Sequence, residues 1–152
     1  NIFRQKPLEE LFPLAKKNGV GILARLPLAS GLLTGKFSEE STFAKDDHRT
    51  FNRNGDAFNV GETFAGLEFE KGVQLSRELN WIANGRETMA QAALRWILDQ
   101  EEVSCIIPGF KNVNQVRQNL EALNTLSFSE EELARLEQFY KEKVHQHIRG
   151  IY

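Results

Sequence analysis

Two short apolar runs, Val20 to Leu26 and Val103 to Ile107, limit what this chain can fold into more than any other feature. Each is too short for an ordinary helix, and each is closed by a proline, Pro27 or Pro108. A run without polar alternation reads as a strand covered on both faces, and such strands belong to parallel sheets. Parallel neighbours need a long crossover between them, which the intervening residues supply.

The flanking segments read as helices. Pro7 to Lys17 places Leu8, Leu11, Phe12 and Ala15 at helical spacing, with Pro7 suited to the first turn and Asn18-Gly19 as the stop. A second helix is expected from about Thr63 to Ile82. A third follows Thr88, which forms a capping-box pattern with Gln91 and precedes Met89, Ala92, Ala93, Trp96 and Ile97 on one face. Another starts near Asn112, with Val113, Val116, Leu120 and Leu123 as its stripe. The last starts at Ser129, capped with Glu132, and carries Leu133, Leu136 and Tyr140. Residues 27–62 are rich in Gly, Ser, Thr, Asn, Asp and Lys and read as a long loop, functional or else disordered. His145 to Tyr152 reads as a frayed tail. No short repeat or low-complexity segment interrupts the pattern.

The order is helix, strand, long loop, two helices, strand, helix, helix, the alternation of an α/β fold with a parallel sheet. Two strands cannot close a barrel, and a full (β/α)8 domain takes roughly 250 residues. With 152 residues opening on Asn1 rather than methionine, the expectation is a fragment, a processed product or an incomplete reading frame.

Composition narrows the partners. A net charge of −2, with no run of Lys or Arg, argues against nucleic acid and anionic membrane. No stretch approaches the roughly 18 apolar residues of a membrane span. Cys105, the one cysteine, sits among Val103, Ile106 and Ile107 and reads as a buried thiol; a cytoplasmic setting fits.

Two loops carry the chemistry. Directly after the first strand stands Pro27-Leu-Ala-Ser-Gly-Leu-Leu-Thr-Gly-Lys36. Gly31 and Gly35 let backbone approach a ligand, Ser30 and Thr34 offer hydroxyls, and Lys36 offers a mobile positive charge, a set suited to a pyrophosphate. A solvated turn with an incidental lysine is the alternative. Directly after the second strand stands Pro108-Gly-Phe-Lys-Asn-Val-Asn-Gln-Val-Arg-Gln-Asn119. There Lys111 and a helix start at Asn112 make an anion site, and Phe110 can lie against an adenine ring. The alternative is an ordinary capped helix with Phe110 in the core. In (β/α)8 enzymes the loops after strands seven and eight build the phosphate site, so two such loops in succession support one another.

On these residues the chain resembles the aldo-keto reductases. Asn1-Ile-Phe-Arg4 is similar to that family's segment at the end of strand six. Arg25-Leu-Pro-Leu-Ala-Ser-Gly-Leu-Leu-Thr-Gly-Lys36 is similar to its strand-seven loop in bacterial-type members, and Ile107 to Asn119 to its strand-eight signature. The likeness covers essentially the whole chain, residues 1–152, as a C-terminal segment of the barrel holding strands seven and eight with flanking helices. It implies NADP(H) as cofactor, carbonyl-to-alcohol hydride transfer as parent activity, and a small-molecule carbonyl substrate. Arg25 would cover the nicotinamide. Leu26, Pro27, Leu28 and Ser30 would line pyrophosphate and ribose, Lys36 would touch phosphate, and Arg49 would join them from the variable loop, with 27–62 on the cofactor side. Gly109, Phe110 and Lys111 would surround the adenosine 2′-phosphate, with Gln115, Gln118 and Asn119 at the adenine. The family's catalytic Asp, Tyr, Lys and His lie on earlier strands, so no catalytic residue and no metal ligand is assigned. Tyr140, Tyr152, His48, His145 and His147 stand away from strand ends and read as surface or packing. The other function class that these residues allow is a non-catalytic nucleotide-binding or interaction module, paired with a missing barrel half or with itself through open strand edges.

Overall fold

The computed structural model of the chain describes residues 1–151. Strands β1 (Ile22–Arg25) and β2 (Val103–Ile107) pair in parallel, and among the described residues they form a two-stranded sheet. The register runs Ile22 to Val103, Leu23 to Cys105, Ala24 to Ile106 and Arg25 to Ile107, with Ser104 bulged out after the first pair. β1 stops short of the apolar run because Leu26 takes φ 51°, which no strand accommodates.

One face of the sheet is covered and the other is not. Ala24, Val103 and Ile106 pack against the core, whereas Leu23 and Ile107 are 65% and 57% exposed. Cys105, the register partner of Leu23, shares that open face, so the expectation of a buried thiol is corrected: it is exposed.

Two helix readings are also revised, and the long loop carries short turns. The expected helix 7–17 is a 3-10 turn at Lys6–Leu8 followed by α1 (Leu11–Lys17). Pro13 causes the split, because its ring would clash with the carbonyl of residue 9 in a continuous helix; in α1 it sits in the first turn, where its missing N–H is harmless. The expected helix 63–82 is a 3-10 turn at Phe64–Gly66, α3 (Phe69–Glu78) and a second turn at Asn80–Ala83. Phe64 and Ala65 at φ 51° and 58° are left-handed and cannot belong to a right-handed helix. Within 27–62 the chain forms a 3-10 turn (Ala29–Thr34), the single turn α2 (His48–Phe51) and a 3-10 turn at Val60–Glu62.

The remaining helices lie where their caps placed them. α4 (Met89–Leu98) starts with Thr88 Oγ accepting from the Gln91 N–H at 3.1 Å. The reciprocal half of that box is missing: the Gln91 side chain turns away, its Nε2 donating to Gln118 O (3.3 Å) and Glu87 (3.4 Å), and its Oε1 does not accept from the Thr88 N–H. α5 (Val113–Leu120) is capped by Asn112, but its expected stripe is bare: Val113 and Leu120 are 68% and 58% exposed. In α6 (Glu130–Phe139) Ser129 and Glu132 form both bonds of the box. A π turn at Tyr140–Val144 then brings Tyr140 and Val144 into the core together. The described part of the tail is not frayed, since Arg149 is tied to Gly66 and Leu67. Tyr152 lies outside the described residues.

The core sits where α3, α4 and the 29–34 turn meet. Leu32, Leu33, Phe64, Phe69, Leu75 and Leu79 are fully or almost fully buried there. Phe37, Phe43, Phe64 and Phe69 pack ring against ring, with centroids from 4.9 Å (Phe64 and Phe69) to 6.0 Å (Phe37 and Phe69). Burying each such side chain contributes roughly 1.5–3 kcal/mol. This aromatic floor carries the loop after β1.

Candidate functional site

The loop after β1 is built on left-handed backbone. Leu26, Ala29 and Ser30 have φ of 51°, 48° and 57°, and Gly31 has 103°. Residues other than glycine occupy that region at a cost, and they persist only where the surroundings fix them. Here the carbonyl of Leu28 accepts from the N–H of Gly31 (2.9 Å) and of Leu33 (3.2 Å), and Asn1 Nδ2 donates to Leu26 O (3.0 Å). Pro27 is buried beneath the turn and Leu28 packs against the core. Ser30 Oγ accepts from the Phe64 N–H at 3.1 Å, which joins this turn to the second left-handed turn. Thr34 Oγ donates to Gly31 O (2.7 Å) and accepts from the Lys36 N–H (3.3 Å), so the hydroxyl closes the loop while the Lys36 side chain stays exposed.

Two arginines named from the sequence are already paired. Arg25 meets Glu62 end-on, with Nη1 to Oε1 at 3.0 Å and Nη2 to Oε2 at 2.7 Å. Arg49 donates through Nε to Asp47 Oδ1 (2.9 Å) and lies 4.2 Å over the ring of Phe43. The guanidinium holds the Asp47 carboxyl down at about 2, and Asp47 also caps α2. A carboxylate held this way fixes the plane of the guanidinium it pairs with.

In the loop after β2, Phe110 is 64% exposed, which removes the reading of it as a core plug. The space that a side chain would occupy at Gly109 is empty to 4 Å. Gln115 Oε1 accepts from the Lys111 N–H (2.6 Å), and Asn119 Nδ2 donates to Gly109 O (3.3 Å). Both amide side chains therefore fold the loop, and the Lys111 side chain is exposed. Gln118 is exposed on α5.

Because Arg25 and Ile107 are register partners, the two loops leave the sheet at the same end, side by side. The first turn of α4 lies between them. Gly35 packs on Met89, where a Cβ would stand 3.0 Å from its Sδ, and Gln91 reaches Gln118. A cleft of about 430 Å³ opens against β1, lined by Arg25 and Glu62 and walled by Leu11, Ile22 and Trp96. Neither Lys36 nor Lys111 lines it.

Four site features escaped the sequence reading. Asp47 had a local signal, as a helix cap before His48-Arg49. Glu62, the Phe64-Ala65 turn and Arg149 had none, since each acts through a distant partner. His48 stands 3.5 Å from Asp47, and Tyr140 is buried at the end of α6. Among the described residues no group of three His, Cys, Asp or Glu could hold a metal ion, and no helix is long and apolar enough to cross a membrane.

Comparison with known proteins gives a consistent result. The aldo/keto reductase family matches residues 1–141. The L-glyceraldehyde 3-phosphate reductase of Escherichia coli O157:H7 is 37% identical over 129 residues, which are 84% of this chain and 36% of that protein. The solved glycerol dehydrogenase of Gluconobacter oxydans matches all of this chain at TM-score 0.73 and 28% identity, over 43% of its own length. An aldo-keto reductase of Bacillus halodurans, in its holo form, matches 97% of the chain at TM-score 0.63 and 22% identity, a likeness of fold. The chain thus spans well under half the length of these relatives.

Proposed function

The chain belongs to the aldo/keto reductase family, and from that membership we propose that it forms the strand-seven and strand-eight portion of a (β/α)8 barrel and binds NADP(H) there for reduction of a small carbonyl compound. The observation that carries this reading is the pairing of Arg25 with Ile107, which starts both lysine-bearing loops at one end of the sheet. Ligands of parallel α/β folds gather at the carboxyl ends of strands.

The donor set fits a dinucleotide. Two exposed ammonium groups, Lys36 and Lys111, suit its phosphates, the open space at Gly109 admits a close approach, and the exposed Phe110 ring offers a stacking surface. When bound, the cofactor supplies the hydride that converts the carbonyl to its alcohol. In this reading Lys36 binds the pyrophosphate, and Arg25, held by Glu62, covers the nicotinamide with a neutralised guanidinium plate. The proton for the alcohol oxygen comes from another part of the barrel, because no side chain among these residues stands at a strand end as an acid. The remainder of that barrel covers the open face of Leu23, Cys105 and Ile107.

The test has two arms. Titration of the chain with NADPH, followed by cofactor fluorescence, is expected to saturate, and to require far more cofactor in Lys36→Ala. The chain alone is expected to reduce no aldehyde or ketone, and the chain joined to the first six strands of a related barrel is expected to do so. Absence of binding in the first arm, or of turnover across several small carbonyl compounds in the second, counts against the proposal.

A further inference from the structure

Arg149, near the end of the chain, grips both limbs of the loop that follows α2. Its Nη1 donates to Asn54 Oδ1 (3.0 Å) and its Nη2 to Arg53 O (3.3 Å) on one limb. On the other limb Nε donates to Gly66 O (3.1 Å) and Nη2 to Leu67 O (3.0 Å), and the Arg149 backbone N–H also reaches Gly66 O (3.0 Å). A planar guanidinium with five fixed donors suits this task, and an ammonium does not. Next to it, Gly150 lies so close to Val60 that a Cβ would stand 2.9 Å from Val60 Cγ1. Inside the loop the fully buried Asn52 accepts from the N–H groups of Ala57 and Phe58 and donates to Thr63 Oγ (3.1 Å).

Each limb ends on a residue of the site. Gly66 closes the turn in which Phe64 and Ala65 are left-handed, and the Phe64 N–H is the group that fixes Ser30 Oγ. Arg53 Nε donates to the backbone O of Arg49 (3.4 Å), the residue whose guanidinium stacks on Phe43. Left-handed residues other than glycine relax when the contacts that force them are lost. The turn that carries Ser30 is strained in the same way and leans on the Phe64 turn. A grip on Gly66 and Leu67 therefore reaches the loop after β1 through one hydrogen bond.

We propose that Arg149 is a positioning residue for the dinucleotide site: by closing the 53–67 loop, the C-terminal tail holds Ser30 and Arg49 in their binding geometry without touching the ligand. The inference rests on the cofactor reading given above. It makes the tail a determinant of cofactor affinity.

Arg149→Met keeps the aliphatic length and removes every side-chain donor, leaving only the backbone N–H on Gly66 O, while Arg149→Lys keeps the charge without the fork. Leu136→Val, in a buried position of α6, supplies a variant destabilised for another reason. Three quantities are read on each: the thermal midpoint, hydrogen exchange at the amides of Gly31, Leu33 and Phe64, and NADPH affinity at a temperature where all variants are folded. Faster exchange at those amides and affinity weakened roughly two- to thirtyfold are expected for Arg149→Met. Arg149→Lys is expected to rescue neither fully, and Leu136→Val to change neither. Unchanged exchange in Arg149→Met, or an affinity loss that Leu136→Val matches, overturns the proposal. If the unaltered chain binds no NADPH, the cofactor reading fails by itself, and exchange at the three amides alone decides whether Arg149 holds the turn.

Discussion

Gly72 of α3 lies so close to Leu32, in the turn after β1, that a methyl group on it would stand 2.5 Å from Leu32 Cδ1 and 3.2 Å from Cδ2. One helical turn later Ser76 Oγ donates to Leu32 O at 2.6 Å. α3 is thus seated directly on the loop that the site is built from, and the missing side chain at residue 72 permits the contact. Gly72→Ala brings two opposed effects. Helix propensity favours alanine by about 1 kcal/mol, while overpacking a fully buried leucine costs about 1–3 kcal/mol. Leu32 is completely enclosed, so the clash is expected to win and urea unfolding to show a net loss of up to about 2 kcal/mol. A variant more stable than the parent chain would show that the turn gives way freely.

Acid should weaken the attachment of α6 in a defined window. Arg86, with its side chain 1% exposed, makes a two-pronged pair with Glu132: Nη1 to Oε1 at 2.9 Å and Nη2 to Oε2 at 2.8 Å. It also donates to the carbonyls of Leu126 and Ser127 and lies 3.9 Å over Phe128. The guanidinium, helped by the Ser129 N–H, holds the Glu132 carboxyl down at about 2 from an ordinary 4.5. A carboxylate with a depressed value stabilises the fold fully above its unfolded pKa and loses that contribution as pH falls toward the folded one. Glu132→Gln is therefore expected to cost roughly 1–3 kcal/mol near neutral pH. The gap between the two proteins should narrow from about pH 5 downward. Parallel urea titrations at pH 7 and pH 4 measure it, and a gap of constant size would remove the ion pair as its cause.

Much of the fold was legible because its signals are local. Ser129 with Glu132, Asn112 and Thr88 each start a helix through atoms three residues away, and Val103 to Ile107 is a strand end to end. What failed depends on distant partners. The Phe64-Ala65 turn is left-handed because Ser30 and Arg149 hold it, and nothing in its own sequence announces that. The apolar stripe of α5 was legible as apolar, but its exposure was not, since periodicity tells which side is greasy and not what lies against it. For the site, the two lysines and their glycines were legible as anion-suited loops. The carboxylates that fix Arg25 and Arg49 were not, because Glu62 arrives from 37 residues away and Asp47 was passed over as loop composition.

Cys105 offers a direct probe of the open sheet face. It is the register partner of Leu23 and lies beside Ile107, all three exposed. A thiol so placed reacts whenever the face is uncovered. In the isolated chain one equivalent of a disulfide reagent is expected to react at a rate within about an order of magnitude of that in urea. Protection that strengthens with protein concentration would show that copies of the chain pair through this face, and protection by an added barrel half would show that it is the docking side.

On the proposed cofactor reading, Lys111 is where a preference between the two nicotinamide dinucleotides should be written. The loop around it is held without its side chain: Gln115 fixes the Lys111 N–H and Asn119 fixes Gly109 O. Truncating the side chain therefore removes a charge and leaves the backbone where it was. A charged hydrogen bond to a phosphate contributes roughly 1.5–3 kcal/mol, or about ten- to a hundredfold in affinity. Lys111→Ala is expected to weaken NADPH by that factor and NADH by less than about threefold. Gln115→Leu is the counterpart, for it frees the loop backbone and retains the ammonium group. It should weaken both cofactors alike, because a displaced loop serves neither. Fluorescence titrations of both variants with both cofactors give four affinities whose pattern separates charge from scaffold. An equal loss of NADPH and NADH binding in Lys111→Ala would mean that the ammonium does not read the 2′-phosphate.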